Sequence, residues 1–196
     1  MASELLIELL NNKNNLIEIL KKLRYIANML NNKELLKWVT NEIEGYNNKN
    51  SIPKYREFKS PCLYYSGING HVQFSETFLD LNYFTDDRVR KEIESLLDTE
   101  IECSISQIED IIQDKECNDL SMDLSFLCGE LFNESGIIAS RIFLRIPKSK
   151  LIEIENSVFN RVQDIIVELE KTVGIEKLNS LTIDLSKREI NEIINQ

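Results

Sequence analysis

Between Pro147 and Gly174 lies the stretch that most limits what this chain can fold into. Leu151, Ile154, Val158, Val162, Ile165, Ile166, Leu169 and Val173 recur there at three-four spacing. That pattern is one apolar stripe on a long α-helix, with Ser149 as its cap and Gly174 as its end. Val162, Ile165 and Leu169 are expected to be buried. A single-striped helix has to lie against other elements, so the rest of the chain must supply an apolar surface for it.

The first fifty residues supply helices. Residues 2–11 read as a short apolar helix with Ser3 as N-cap, broken by the polar run 11–15. Leu16, Ile19, Leu20, Leu23, Ile26, Ala27 and Leu30 mark a second helix. Asn31 and Asn32 turn the chain, and Leu35, Leu36, Val39 and Ile43 mark a third. Gly45 stands where a left-handed C-cap is wanted. Short connections make these helices antiparallel neighbours in a helical N-terminal layer.

After Ser51, β-formers take over. Residues 55–62 and 63–74 are rich in Tyr, Phe and Val, and predict strands joined through a glycine-containing turn at 66–70. Thr85, Asp86 and Asp87 open a helix with Val89, Ile93, Leu96 and Leu97 inward. Ile101, Cys103 and Ile105 alternate as a short strand, and Ser106 with Glu109 has capping-box spacing for the helix that follows. Residues 117–135 mix alternation with helical spacing. Ile138, Ser140, Ile142, Leu144 and Ile146 then predict one face of a strand, with Ala139, Arg141, Phe143 and Arg145 on the other. Residues 181–185 are strand-like, and Ser186 with Glu189 forms a second capping-box pattern. The fold class is α+β: a helical N-terminal layer, a small antiparallel sheet and a long C-terminal helix. It is read as one domain over 1–174 with a strand–helix tail over 175–196.

Composition bears on function by exclusion. A net charge of −10 disfavours a nucleic-acid groove, which rests on clustered Lys and Arg, so nucleic acid is an unlikely partner. Cys62, Cys103, Cys117 and Cys128 form no C-x-x-C pair and His71 is the one histidine, so no metal or other cofactor is expected. No apolar run approaches the roughly 18 to 20 residues of a membrane span, and the acidic N-terminus lacks a signal core, which places the chain in the cytoplasm.

The chemistry-bearing residues mostly have plain structural readings. His71 follows Gly70 in the expected turn and reads as an exposed hairpin histidine, not a catalytic one. Glu92, Glu94, Asp98, Glu100, Glu102, Glu109, Asp110 and Asp114 read as solvated helix faces and not as an acid–base pair. Arg141 and Arg145 flank Phe143 on one strand face, where ion pairing is favoured over stacking on a base. No residue is singled out as catalytic. Trp38, Asn41 and Glu42 share one helix face, and Asn160, Arg161 and Asp164 share another beside the long stripe. These six are either two halves of one polar site or packing residues, with Arg161 bonded to Glu42 or a carbonyl and Trp38 wedged between layers. The packing reading is preferred.

Two segments carry a family resemblance. Leu35-Leu-Lys-Trp38-Val-Thr-Asn41-Glu42-Ile-Glu-Gly45-Tyr46, followed by Ile52-Pro53-Lys-Tyr55-Arg56, is the first. Val158-Phe-Asn160-Arg161-Val162-Gln-Asp164-Ile-Ile-Val-Glu168-Leu169-Glu170, in the long helix after a strand and a proline, is the second. Together they resemble the AbiTii domain of bacterial abortive-infection and related anti-phage proteins, over roughly residues 3 to 173. Phe159 stands where the family is often basic, and Asn47-Asn48 replace its proline-containing loop. The resemblance implies phage defence and brings no established chemistry to carry over. Trp38, Asn41, Glu42, Tyr46, Tyr55, Arg56, Asn160, Arg161 and Asp164 are its candidate partner-binding or structural motif. The function so implied is a non-enzymatic sensor or regulatory module that binds another defence-system protein, with homo-oligomerisation open. The alternative is a stand-alone growth-arrest effector whose active site lies around Trp38, Glu42, Arg56, Arg161 and Asp164.

Overall fold

The computed structural model describes residues 2–11, 16–47, 51–60, 62–80, 82, 87–131 and 136–183. The helices are α1 (Glu4–Asn11), α2 (Leu16–Met29), α3 (Lys33–Glu44), α4 (Asp87–Leu97), α5 (Ile105–Gln113), α6 (Cys128–Leu131) and α7 (Lys148–Thr172). The strands are β1 (Glu57–Lys59), β2 (Leu63–Asn69), β3 (Val72–Leu79), β4 (Asp98–Glu100), β5 (Asp119–Asp123) and β6 (Ile137–Pro147). This is the expected α+β layout, with the long stripe forming the 25-residue α7. The chain divides into a helical unit of Met1–Lys49, Glu102–Asp110 and Ile154–Gln196, and a sheet unit of Asn50–Ile101 and Ile111–Glu153.

In the helical unit the apolar positions fall inward as their spacing requires. Leu16, Ile19, Leu20, Leu23, Ile26 and Ala27 of α2 are buried, as are Ile154, Val158, Val162, Ile166 and Leu169 along α7. Ser3 caps α1 as expected, its hydroxyl accepting the Leu6 N–H at 3.2 Å, and its own N–H donates to Glu170 Oε1 at 2.6 Å. Asn31 takes a positive φ of 52°, and Asn32 then caps α3 by accepting the Leu35 N–H. Gly45 departs from expectation: with φ 90° and ψ 168° the chain leaves α3 extended and not through a left-handed helical residue. The neighbouring backbone explains the glycine, since Glu102 O accepts the Tyr46 N–H at 2.9 Å and a Cβ on Gly45 would lie 3.0 Å from that same oxygen.

The start of α5 is set two residues earlier than the Ser106–Glu109 pattern predicts. Ser104 Oγ accepts the Gln107 N–H at 3.3 Å and Gln107 Oε1 accepts the Ser104 N–H at 3.0 Å, a reciprocal capping box. That register begins the helix at Ile105 and buries Ile105 and Ile108. Residues 101–104 are consequently not the expected strand; the strand is β4, immediately before them. Past Gly174, residues 175–183 are helical, which corrects the strand-like reading over the described part of 181–185. Leu178 is buried there, and Asn179 Oδ1 accepts the Glu4 N–H. The second capping-box pattern, Ser186 with Glu189, lies outside the described residues, as do the polar break at 12–15 and the predicted helix start at Thr85 and Asp86.

The sheet unit holds a four-stranded antiparallel sheet in the order β3-β2-β6-β5 and a separate antiparallel pair, β1 with β4. Residues 55–62 are only partly strand, because Lys54–Arg56 forms a 3-10 turn that feeds the three-residue β1. The hairpin is β2–β3. Its turn is Gly70-His71, with Gly70 at φ 58° in the first turn position, and His71 is exposed there as expected. Gly67, placed in the turn by its sequence neighbours, is instead inside β2. It pairs with Ala139, and a Cβ on it would lie 2.4 Å from Ile138 O.

Both neighbours of β2 carry an extra residue opposite Ser66–Gly67. On β3 the bulge includes Glu76 at φ 49°. On β6 it inverts half of the predicted alternation: Ile137 and Ala139 pack on the core with Ile142 and Leu144, and Ile138 joins the opposite face. The core of this unit is Leu63, Tyr65, Leu79, Ile93, Leu97, Leu124, Leu127, Ile142 and Leu144.

Candidate functional site

The helical unit brings the two predicted polar faces together at one point. Trp38 sits on α3 six residues beyond the Asn32 cap, and Arg161 sits on α7 between the buried Val158 and Val162. The Arg161 guanidinium carbon lies 5.0 Å from the centroid of the Trp38 ring, a cation–π contact. The same two residues line an open groove of about 410 Å³ with Asn32, Glu34, Leu35, Ile165, Glu168, Leu169 and Thr172. Leu35, Ile165 and Leu169 give it an apolar floor with Trp38 beside them, while Glu34 and Glu168 put carboxylates at its edge. Ile165, expected in the core, is only part-buried because it belongs to this lining. Glu168 Oε2 lies 3.6 Å from Lys171 Nζ, both side chains being largely exposed.

The other motif residues do not join the groove lining. Glu42 is fully buried and accepts a 2.5 Å hydrogen bond from the Tyr46 hydroxyl one turn on, tying the end of α3 to the segment after it. Arg56 is also fully buried; its Nη1 donates to Ile101 O at 2.9 Å, and its own carbonyl accepts the Ile101 N–H at 3.0 Å. Each is thus buried and hydrogen-bonded within its own unit. Arg161 meets the Trp38 ring. Asn160 and Asp164 are exposed on α7, and Asn41 and Tyr55 are part-buried.

The acidic middle third holds one exception to the solvated reading. Glu109 is part-buried, and its Oε1 is shielded from solvent with no hydrogen-bond donor among the described residues. Burial first, then the Glu155 and Asp110 carboxylates, push its pKa up to about 7. The sequence gives no sign of this, since only the pairing of α5 with α7 brings Glu155 near. Among the described residues no group of three or more His, Cys, Asp or Glu side chains is placed to hold a metal ion. No described helix is long and apolar enough to cross a membrane.

What the groove and its two helices belong to is decided by comparison with known families: the AbiTii family model matches residues 1–196. The chain belongs to the AbiTii family. AbiTii proteins are abortive-infection, anti-phage defence proteins, and the two segments that meet at Trp38 and Arg161 are those in which the resemblance was first visible. The AbiTii match extends through residues 175–196, beyond the roughly 3–173 that the motifs alone covered. No curated protein and no solved structure matches the chain significantly.

Proposed function

We propose that this AbiTii chain is a non-enzymatic defence component that works by binding a separate protein of the same defence system, through the groove between α3 and α7. The observation that carries this reading is the groove itself. It has an apolar floor with a tryptophan at one wall and carboxylates at the rim, on a chain of net charge −10. Such a surface suits an apolar segment of the partner flanked by Lys or Arg, with the floor supplying affinity and the rim supplying orientation. Arg161, stacked on Trp38, covers the ring and holds it as part of the wall.

The competing reading is a self-sufficient growth-arrest effector, and expression of the chain alone separates the two. The binding-module reading predicts that bacteria making the folded chain without its partner grow at the normal rate. Growth arrest by the chain alone, abolished by Trp38→Ala or Arg161→Ala at unchanged melting temperature, would establish the effector instead.

A further inference from the structure

The four-stranded sheet has a second face, opposite the core residues Leu63, Tyr65, Ile142 and Leu144. Strand β2 is regular, so Tyr64, Ser66 and Ile68 point away from the core residues Leu63 and Tyr65. Pairing extends that outer face to its neighbours: Phe78 and Phe143 stand opposite Tyr64, and Ile138 stands opposite Ile68. Phe143 is fully buried there, whereas Phe78 is 53% exposed, Ile68 45% and Ile138 67%, with Ser66 and Arg141 between the phenylalanine and the two isoleucines. The bulge on β6 puts Ile138 there; without it, the alternation would carry that side chain to the core face.

Charge on the same face is arranged in strips. Arg141 and Arg145 of β6 lie over the Phe143 ring at 4.4 and 5.4 Å, and Arg145 also lies 4.4 Å from the Tyr64 centroid. Asp119 and Asp123 of β5 flank them on one side, and Glu76 of β3 stands on the other. Arg145 is paired to Glu76 and lies 3.6 Å from Asp119. Two guanidinium groups therefore meet three carboxylates, in a chain whose overall charge is −10.

We propose that this outer face docks a second copy of the chain, sheet against sheet about a two-fold axis, with the Ile68–Ile138 pairs at the centre. Copies of so acidic a chain repel one another wherever like charge faces like charge. The outer face carries both signs, two arginines among three carboxylates, so the arginines of one copy have carboxylates of the other to meet. An isologous contact needs a patch complementary to itself, and a face bearing an apolar centre with both signs around it has that property. A strongly basic or strongly acidic partner would find half of the face unfavourable. This site is independent of the groove on α3 and α7.

Sedimentation equilibrium of the full chain from about 1 to 200 µM tests the proposal. The expected result is a monomer–dimer equilibrium for the wild type. Ile138→Glu is expected to raise its dissociation constant at least ~30-fold, the loss typical of a central contact. Ile68→Lys should act the same way, and Ile7→Glu, on the exposed face of α1, should leave the equilibrium unchanged. Wild type sedimenting as a single chain at every concentration would overturn the proposal. So would a dimer that survives both sheet variants at wild-type melting temperature, or one lost on Ile7→Glu.

Discussion

Replacing Arg56 by alanine is expected to lower the stability of the fold by about 3–5 kcal/mol, which combines the loss of a large buried side chain with an orphaned carbonyl. Arg56 is fully buried and lies with the largest such side chains of the protein. It grips Ile101 twice, once through Nη1 to the carbonyl and once through its own carbonyl to the N–H. The second of these survives truncation; the first does not, and the Ile101 oxygen is left to find another donor. Against a total of about 5–15 kcal/mol such a loss is large, and it corresponds to roughly 6–20 °C in melting temperature for a chain of this size. Arg56→Lys keeps the charge without the planar fork and should fall between the two. Urea denaturation measures all three. An Arg56→Ala midpoint within experimental error of the wild type would mean that the buried guanidinium contributes nothing to the fold.

Gly67→Ala is expected to be comparably severe for a different reason. The added methyl would meet Ile138 O at 2.4 Å and Ala139 Cα at 2.9 Å, both backbone atoms of the paired strand and neither able to swing away. The strands must part where β3 and β6 both bulge, and overpacking of this kind costs about 3 kcal/mol or more when the obstruction is rigid. Two other glycines calibrate the result. Gly129, in α6, has nothing within 4 Å of its would-be Cβ, so alanine there should be stabilising by up to about 1 kcal/mol. Gly70 has the same open space but a φ of 58°, so alanine there carries the left-handed penalty of about 1–2 kcal/mol. The predicted order of thermal stability is therefore Gly129→Ala, wild type, Gly70→Ala, Gly67→Ala. A Gly67→Ala protein as stable as wild type would refute the close approach of β2 to β6.

The parts of this fold that were legible in the sequence are those whose signal is local. The stripes of α2 and α7, the Ser3 cap and the Asn31-Asn32 turn each follow from residues within a few positions of one another. What escaped depends on pairing. The bulges opposite Ser66 exist only once β2 lies between β3 and β6, and they decide which face Ile138 takes. Ser106–Glu109 carried the capping-box spacing, but the box forms at Ser104–Gln107, a register that buries Ile105 and Ile108. Likewise Trp38, Glu42 and Arg161 were readable as polar residues beside apolar seams. Which of them would stack, which would be buried and which would line a groove required α3 and α7 to be placed together.

That placement also frames the functional claim, because Glu34 and Glu168 sit at the groove rim on exposed helix positions whose reversal should leave the fold intact. The decisive measurement is the efficiency of phage plating on bacteria carrying the complete defence system, with this chain either wild type or bearing Glu34→Lys together with Glu168→Lys. The binding-module account predicts that the reversed chain folds with a melting temperature within about 2 °C of wild type, as surface changes within ±0.5 kcal/mol allow, and no longer protects. Full protection by the reversed chain, made at the same level, would contradict it.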